Sequence, residues 1–250
     1  MALFYNQPRA VQAGTHGATR LAPPRDLGFA ATTNAIPIAA DEFFVAQAHY
    51  PIVFTTEEQP TPVVVVGVRE NENLFIAESG KWRAGGYVPA YIRRYPFALA
   101  RANDSGQLVL VVDDAAEVIS TQEGEPLFED GKPSAVTERA LQFCTAFQRQ
   151  FDLGQELAAG LRDAGILGEK RIELRRPDGE VSYAFTGFRV ADEDKLNQLA
   201  DETFLDWRQR GWLPLIYAHL MSMRRWDILG MLQDGRRKTD TPAEPAEAQP

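Results

Sequence analysis

The sequence predicts an α+β fold, with a mostly antiparallel sheet from the front half packed against helices of the C-terminal half. Three observations carry that expectation. Between Ala39 and Phe128, short apolar and β-branched runs alternate with polar turns. After Pro133 the apolar residues recur at the 3.6-residue spacing of helices. The chain has 250 residues, 44% of them hydrophobic, enough for one large domain or two small ones whose core needs no covalent staples.

The first forty residues are rich in Ala, Thr, Pro and Asn and show no sustained period, so residues 1–39 are expected as an extended arm. Asp41 can cap a short helix through Ala48, and Pro51 to Phe54 follows as a buried extended run. Pro62 to Val68 is apolar on both faces, as a central strand would be. Across the polar turn Arg69–Glu72, Asn73 to Ile76 predicts the second arm of a hairpin. Tyr91 to Leu99 and Gln107 to Val112 read as two further strands, separated by the turn signal Asn103-Asp104-Ser105-Gly106. Short polar connections imply antiparallel pairing, because parallel neighbours need a crossover of about a dozen residues or more.

Past Pro133, Ser134 suits an N-cap, and Val136, Ala140, Phe143, Cys144 and Phe147 fall on one stripe. Leu153, Leu157 and Leu161 predict a second short helix stopped by Gly165. Asp178-Gly179 marks a hairpin between Arg171–Arg175 and Val181–Phe188. Asp192 can cap a third helix with Leu196, Leu199, Phe204 and Trp207 on its inner face, ended by Gly211. Pro214 suits the first turn of a fourth helix, carrying Ile216, Leu220, Met223 and Trp226 to about Leu232. Residues 40–235 thus read as one α+β domain, and 236–250, with three prolines and almost no large apolar residue, as a disordered tail.

Composition narrows the function classes. Twenty-six basic against 35 acidic residues, a net charge of −9, argue against a nucleic-acid partner, which needs clustered Lys and Arg. The single cysteine, Cys144, allows no internal disulfide and no Cys-rich metal site, and its place on an apolar stripe reads as core. Met1 to Arg20 holds no apolar run of a secretory signal. The longest apolar run, Val63 to Val66, is far short of the ~20 residues that cross a bilayer. A cytoplasmic protein without membrane insertion is the expectation.

Chemical motifs are sparse. Of the three histidines, His16 lies in the arm, His49 precedes a buried run, and His219 sits in a helix. His49 and His219 are the candidate general bases, each weighed against a hydrogen-bonded structural role. An iron site would need both of them plus an acid such as Asp113, which only the tertiary fold can bring together. Asp113-Asp114 offers adjacent carboxylates, but neighbours on a strand point to opposite faces. There is no nucleophile elbow and no phosphate loop, Gly85-Gly86 reading as a turn. No metal or cofactor is implied.

The densest cluster is Trp82 to Phe97, with Trp82, Tyr87, Tyr91, Arg93, Arg94 and Tyr95 as candidate ligand-binding residues. Two arginines among aromatics suit an anionic ligand, by bidentate pairing between ring walls. On a strand, Arg93 and Tyr95 would share one face and Arg94 the other, so one arginine alone would enter a given pocket. The structural alternative is an internal Arg–carboxylate pair that holds sheet to helices.

The string Tyr87 to Phe97, with its residues Tyr-Val-Pro-Ala-Tyr-Ile-Arg-Arg-Tyr-Pro-Phe, resembles the SapC family of bacterial proteins. Flanking features agree: Glu42-Phe43, Tyr50 to Phe54, Glu72 to Phe75, Gly80-Lys81-Trp82, Gly124 to Phe128 with Gly131, Asp194-Lys195-Leu196, Gly211-Trp212-Leu213, and Tyr217 to Ser222. The resemblance spans about residues 40 to 232, with a longer acidic run at Ala191 to Lys195 as its one departure. It implies a link to bacterial surface-layer proteins and to surface-protein production, modification or uptake systems. It carries over no catalytic residue. The expectation is an accessory protein that binds a protein, a peptide or a small anionic ligand, and the alternative is a small-molecule or amino-acid-modifying enzyme with a His/Tyr/Arg pocket. Oligomeric state is not legible in the residues.

Overall fold

The structure, a computed structural model, describes residues 3–24, 26–102, 106–175 and 179–240. Its front half runs β1 (Pro8–Ala10), α1 (Ala13–His16), β2 (Arg20–Leu21), β3 (Ala35–Pro37), α2 (Phe43–Ala46), β4 (Ile52–Phe54), β5 (Pro62–Val65), α3 (Ala90–Arg93), β6 (Phe97–Ala102) and β7 (Gln107–Asp113). Short strands β8 (Ile119–Ser120), β9 (Glu125–Pro126), β10 (Phe128–Glu129) and β11 (Lys132–Pro133) lead into the long helix α4 (Ala135–Asp163). Beyond it come β12 (Leu167–Glu169), β13 (Ile172–Arg175), β14 (Val181–Phe185), β15 (Arg189–Ala191), α5 (Glu193–Asn197), α6 (Asp201–Gln209), α7 (Trp212–Ser222) and α8 (Trp226–Asp240).

The fold is α+β, with antiparallel sheets and C-terminal helices. The central five-stranded sheet runs β12-β15-β4-β5-β3, and every pairing in it is antiparallel. Two of its strands come from beyond α4, so the sheet draws on both halves of the chain. A second sheet runs β1-β7-β6, and the segment before Ala40 supplies β1, β2 and β3. The main core gathers on the central sheet, where Ile36, Ile52, Phe54 and Val64 meet Leu157 and Leu161 of α4 and Ile216 of α7.

Several elements differ from the sequence expectation for local reasons. Residues 135–163 form one helix rather than two, because Leu157 and Leu161 continue the stripe of Val136, Cys144 and Phe147 and no cap interrupts it. Gly154 and Gly160 mark close approaches instead of breaks: a Cβ on Gly160 would stand 2.3 Å from the Trp212 ring. Gly165 ends the helix as expected, at φ +69°, with Gly165 N–H on the Arg162 carbonyl and Ile166 N–H on that of Leu161. Asp192 caps α5 by accepting from the Asp194 and Lys195 amides, but the third helix divides into α5 and α6. The fourth divides at the 3-10 turn Met223–Arg225, and α8 then continues to Asp240, past the expected boundary at 236.

The hairpin β13-β14 stands where Gly179 signalled it. The turn signal at 103–105, Asp178 and residues 241–250 lie outside the described residues. Asn73 to Ile76 is not a strand. The buried Asn73 amide donates to the Ala30 carbonyl and its oxygen accepts from Phe75 N–H, diverting backbone groups from a ladder. Tyr91 to Leu99 also changes character: Ala90–Arg93 is helical, and the strand begins at Phe97. Among the described residues no helix is long and apolar enough to cross a membrane.

Candidate functional site

The site begins at Glu42, the last residue of the 3-10 turn Ala40–Glu42. Its Oε2 accepts from the Ala39 N–H at 2.8 Å; its Oε1 accepts from the Ala90 N–H at 2.7 Å and the Tyr87 hydroxyl at 2.8 Å. One buried carboxylate therefore satisfies the starts of two helical turns, and that is why Ala90–Arg93 winds as α3 instead of extending. Burial raises the Glu42 pKa, against the lowering pull of these hydrogen bonds. The Tyr87 hydroxyl accepts in turn from Arg93 Nη2 at 2.9 Å, and Arg93 Nε donates to the Val88 carbonyl at 3.0 Å. Burial and the adjacent Glu42 push the Tyr87 phenol up to about 12. These residues, with Phe143 and Phe147, enclose a hollow of about 140 Å³.

Arg94 serves a different cavity. Its guanidinium carbon lies 4.0 Å from the Tyr91 ring centroid and 4.6 Å from that of Phe147. Those two centroids are 6.1 Å apart, so the rings meet the guanidinium at roughly a right angle, as a corner rather than a sandwich. Tyr5 stands on a further side, 5.7 Å from the cation. Arg94 Nε is buried without a hydrogen-bond partner, and among the described residues no carboxylate pairs with the guanidinium. The half-buried side chain lines a cleft of about 410 Å³. Tyr91, Leu99, Phe147 and Phe151 are apolar lining of that cleft, and Thr55, Gln59, Thr61 and Gln148 polar lining.

The six residues singled out from the sequence therefore divide. Tyr91 and Arg94 line the cleft, and Tyr87 and Arg93 line the hollow. Trp82 lines neither: its Nε1 donates to the Tyr50 hydroxyl at 3.0 Å, its ring stacks on Phe75, and Tyr50 donates to the Tyr87 carbonyl. Tyr95 stacks on Phe29 at 4.2 Å and donates to Asp113 Oδ2 at 3.1 Å. The strand rule that gave Arg93 and Arg94 opposite faces does not apply on α3, yet the two arginines still enter different cavities.

The histidines are held by backbone. His219 is fully buried; its Nδ1–H donates to the Ile52 carbonyl at 2.8 Å and its Nε2 accepts from the Ala191 N–H at 3.0 Å. Burial lowers its pKa to about 4. It bridges β4 to β15 where the two strands pair only at Phe54 and Arg189. With both nitrogens engaged, the ring has no lone pair to offer a substrate proton. His49, half-buried near Arg225, lies against Tyr50 and lines neither cavity. His16 meets Asp114, and the buried Asp113 accepts from the Asn6 and Gln7 amides and so anchors the N-terminal strand. Cys144 is core, its thiol pushed up to about 11 by burial. Among the described residues no group of three His, Cys, Asp or Glu side chains could hold a metal ion.

A family model described as SapC matches residues 11–229. The chain belongs to the SapC family. The match takes in every candidate residue named from the sequence and leaves Tyr5 outside. No curated protein and no solved structure matches this SapC chain. Of the SapC-site residues not singled out from the sequence, two carried a signal. Phe151 lies one turn beyond Phe147 and would have joined its stripe had the helix been taken as continuous. Glu42 was read as a flanking feature only; its signal was a carboxylate three residues after Ala39, at the position from which a side chain reaches back to a helix start.

Proposed function

We propose that this SapC-family chain is an accessory binding protein that captures a protein, a peptide or a small anionic ligand through the cleft at Arg94. What supports the reading is one observation: a guanidinium held in an aromatic corner, without a carboxylate partner among the described residues, lining a 410 Å³ cleft. A cation already paired inside the fold would have its donors occupied. Arg94 keeps charge and donors directed at a space of ligand size. The setting we propose for the capture is the bacterial surface-protein production, modification or uptake machinery that the family resemblance implies, served from the cytoplasm.

The test is a thermal-shift titration of the purified chain with sodium acetate, benzoate and phosphate, repeated on Arg94→Gln. A stabilisation by any of these anions that is lost in Arg94→Gln supports the reading. Equal shifts in both proteins, or none in either, overturn it. Cell fractionation with an antibody to the chain checks the compartment, and recovery in the envelope fraction would contradict the cytoplasmic assignment.

A further inference from the structure

We propose that the Arg94 cleft selects a monoanionic carboxylate carried beside a bulky apolar side chain and an amide, the chemistry of a peptide C-terminus or of an N-acylated amino acid. The proposal rests on the reading of the cleft as a binding site and specifies its ligand.

Charge decides against a dianion. Among the described residues that line the cleft, Arg94 is the one cation, and Glu57 stands on the same lining with Arg189 near its carboxylate. Hydrogen bonding from Thr55 holds the Glu57 carboxyl below the ordinary glutamate range, so it is ionised at neutral pH. A phosphate, carrying about −1.5 to −2, would meet one guanidinium and one opposing carboxylate. A carboxylate matches the planar fork of a single arginine with two parallel hydrogen bonds and adds only one charge. With Nε buried, two rings against the guanidinium and the Tyr5 hydroxyl hydrogen-bonded to it, the remaining terminal N–H groups are the donors left for a ligand.

The walls supply the rest of the specificity. Leu99, Phe147 and Phe151 offer apolar surface beside the cation, suited to a branched or aromatic side chain. Gln59 and Thr61, together with Gln148 of α4, can both donate and accept, as an amide group requires, Gln148 Nε2 already donating to Asp152 Oδ1 at 2.8 Å. The Thr55–Thr61 part of the polar lining is fixed before any ligand arrives. Thr55 N–H donates to the Thr61 carbonyl and Thr61 N–H to Thr55 Oγ1, each at 3.0 Å. Arg162 and Arg189 hold the carbonyls of Glu58 and Glu57 from outside. A pre-formed wall lowers the ordering cost of binding. At about 410 Å³ the cleft lies at the small end of the roughly 300–1,000 Å³ range of ligand sites, room for one or two residues.

The experiment is isothermal titration of the full chain with N-acetyl-L-phenylalanine, its uncharged amide, acetyl-Ala-Ala-Phe as free acid, and inorganic phosphate. The two acids are expected to bind at least tenfold tighter than the amide and than phosphate. Arg94→Gln should lose that preference, Arg94→Lys should keep part of it, and Gln148→Glu should weaken the acids by placing a second carboxylate in the wall. A tighter tripeptide assigns the source as a peptide end, and a tighter single residue as a free acylated amino acid. Acid and amide binding equally, or phosphate binding tightest through Arg94, overturns the carboxylate proposal and leaves the cleft as a site. Absence of Arg94-dependent binding by every probe overturns both.

Discussion

The hollow beneath Glu42 and the cleft over Arg94 share a wall, Phe147, and receive side chains from consecutive residues of one helix end. In the hollow Glu42 and Arg93 are linked through one phenol: Glu42 accepts from two amides and from the Tyr87 hydroxyl, and that hydroxyl accepts from Arg93. In the cleft Arg94 has rings but, among the described residues, no anion. Two arginines of the same chain thus differ in what surrounds them, and the difference separates a hydrogen-bonded brace from a cation held by rings beside a cleft. Burial alone would rank them wrongly, because the braced Arg93 is the more exposed of the two. The bond inventory is the informative quantity.

The comparison breaks most visibly if the brace is removed. Glu42→Ala orphans the amides of Ala39 and Ala90 and the Tyr87 hydroxyl. At about 1–3 kcal/mol for each buried group left unsatisfied, we expect a loss of roughly 4 kcal/mol in urea unfolding. Glu42 also carries a pH signature. Its folded pKa lies above the unfolded value, so in the interval between them the folded state holds a proton that the unfolded state has released. Stability then falls as pH rises through that interval, and Glu42→Gln should remove this slope. An unchanged unfolding midpoint in Glu42→Ala would show that the hollow is not a brace.

His219 is a second closed polar group and sharpens the contrast with the opposite sign. Its folded pKa of about 4 lies below the unfolded value, so the unfolded chain binds the extra proton between the two. The stability is therefore complete above about pH 6.5 and is lost as pH falls towards 4, by about 3 kcal/mol. Urea unfolding at stepped pH measures the slope, and His219→Gln should flatten it. If that variant fails to fold, the imidazole proton resonance of the native protein decides: it should not move between pH 7 and 5. A midpoint near 6.5 would free the ring for the base role that its bonds deny it.

What the sequence made legible was local. The helix stop at Gly165, the Asp192 cap and the β13-β14 hairpin are each specified by residues within a few positions of the effect. The candidate site was legible as a segment but not as a shape. Whether Tyr91 to Arg94 is strand or helix depends on Glu42, whose carboxylate caps α3 from 48 positions upstream. Once the segment is helical, the split of Arg93 from Arg94 follows, and with it the cleft. The order of the central sheet was hidden for the same reason: β15 reaches β4 across α4, and His219 completes that seam from a third part of the chain. Asn73 shows the limit from the other side, a polar side chain inside an apolar run whose bonds to Ala30 and Phe75 undo the strand that the run predicts.

The smallest expected effect tests the comparison most directly. Arg93→Gln removes donors to the Tyr87 hydroxyl and the Val88 carbonyl at an exposed position, for about 1 kcal/mol. Arg94→Gln removes closer ring contacts, worth about 1 kcal/mol in a partly buried setting. It also relieves a buried N–H without a partner, which returns a similar amount. The net change in stability for Arg94→Gln should therefore be close to zero, smaller than that of its more exposed neighbour. Paired urea curves on the two variants decide it. If Arg94→Gln proves the costlier by more than about 1 kcal/mol, the aromatic corner holds the fold together and Arg94 is a second brace. If the order holds, the chain maintains a charge that contributes almost nothing to its own folding, as the proposed binding role requires.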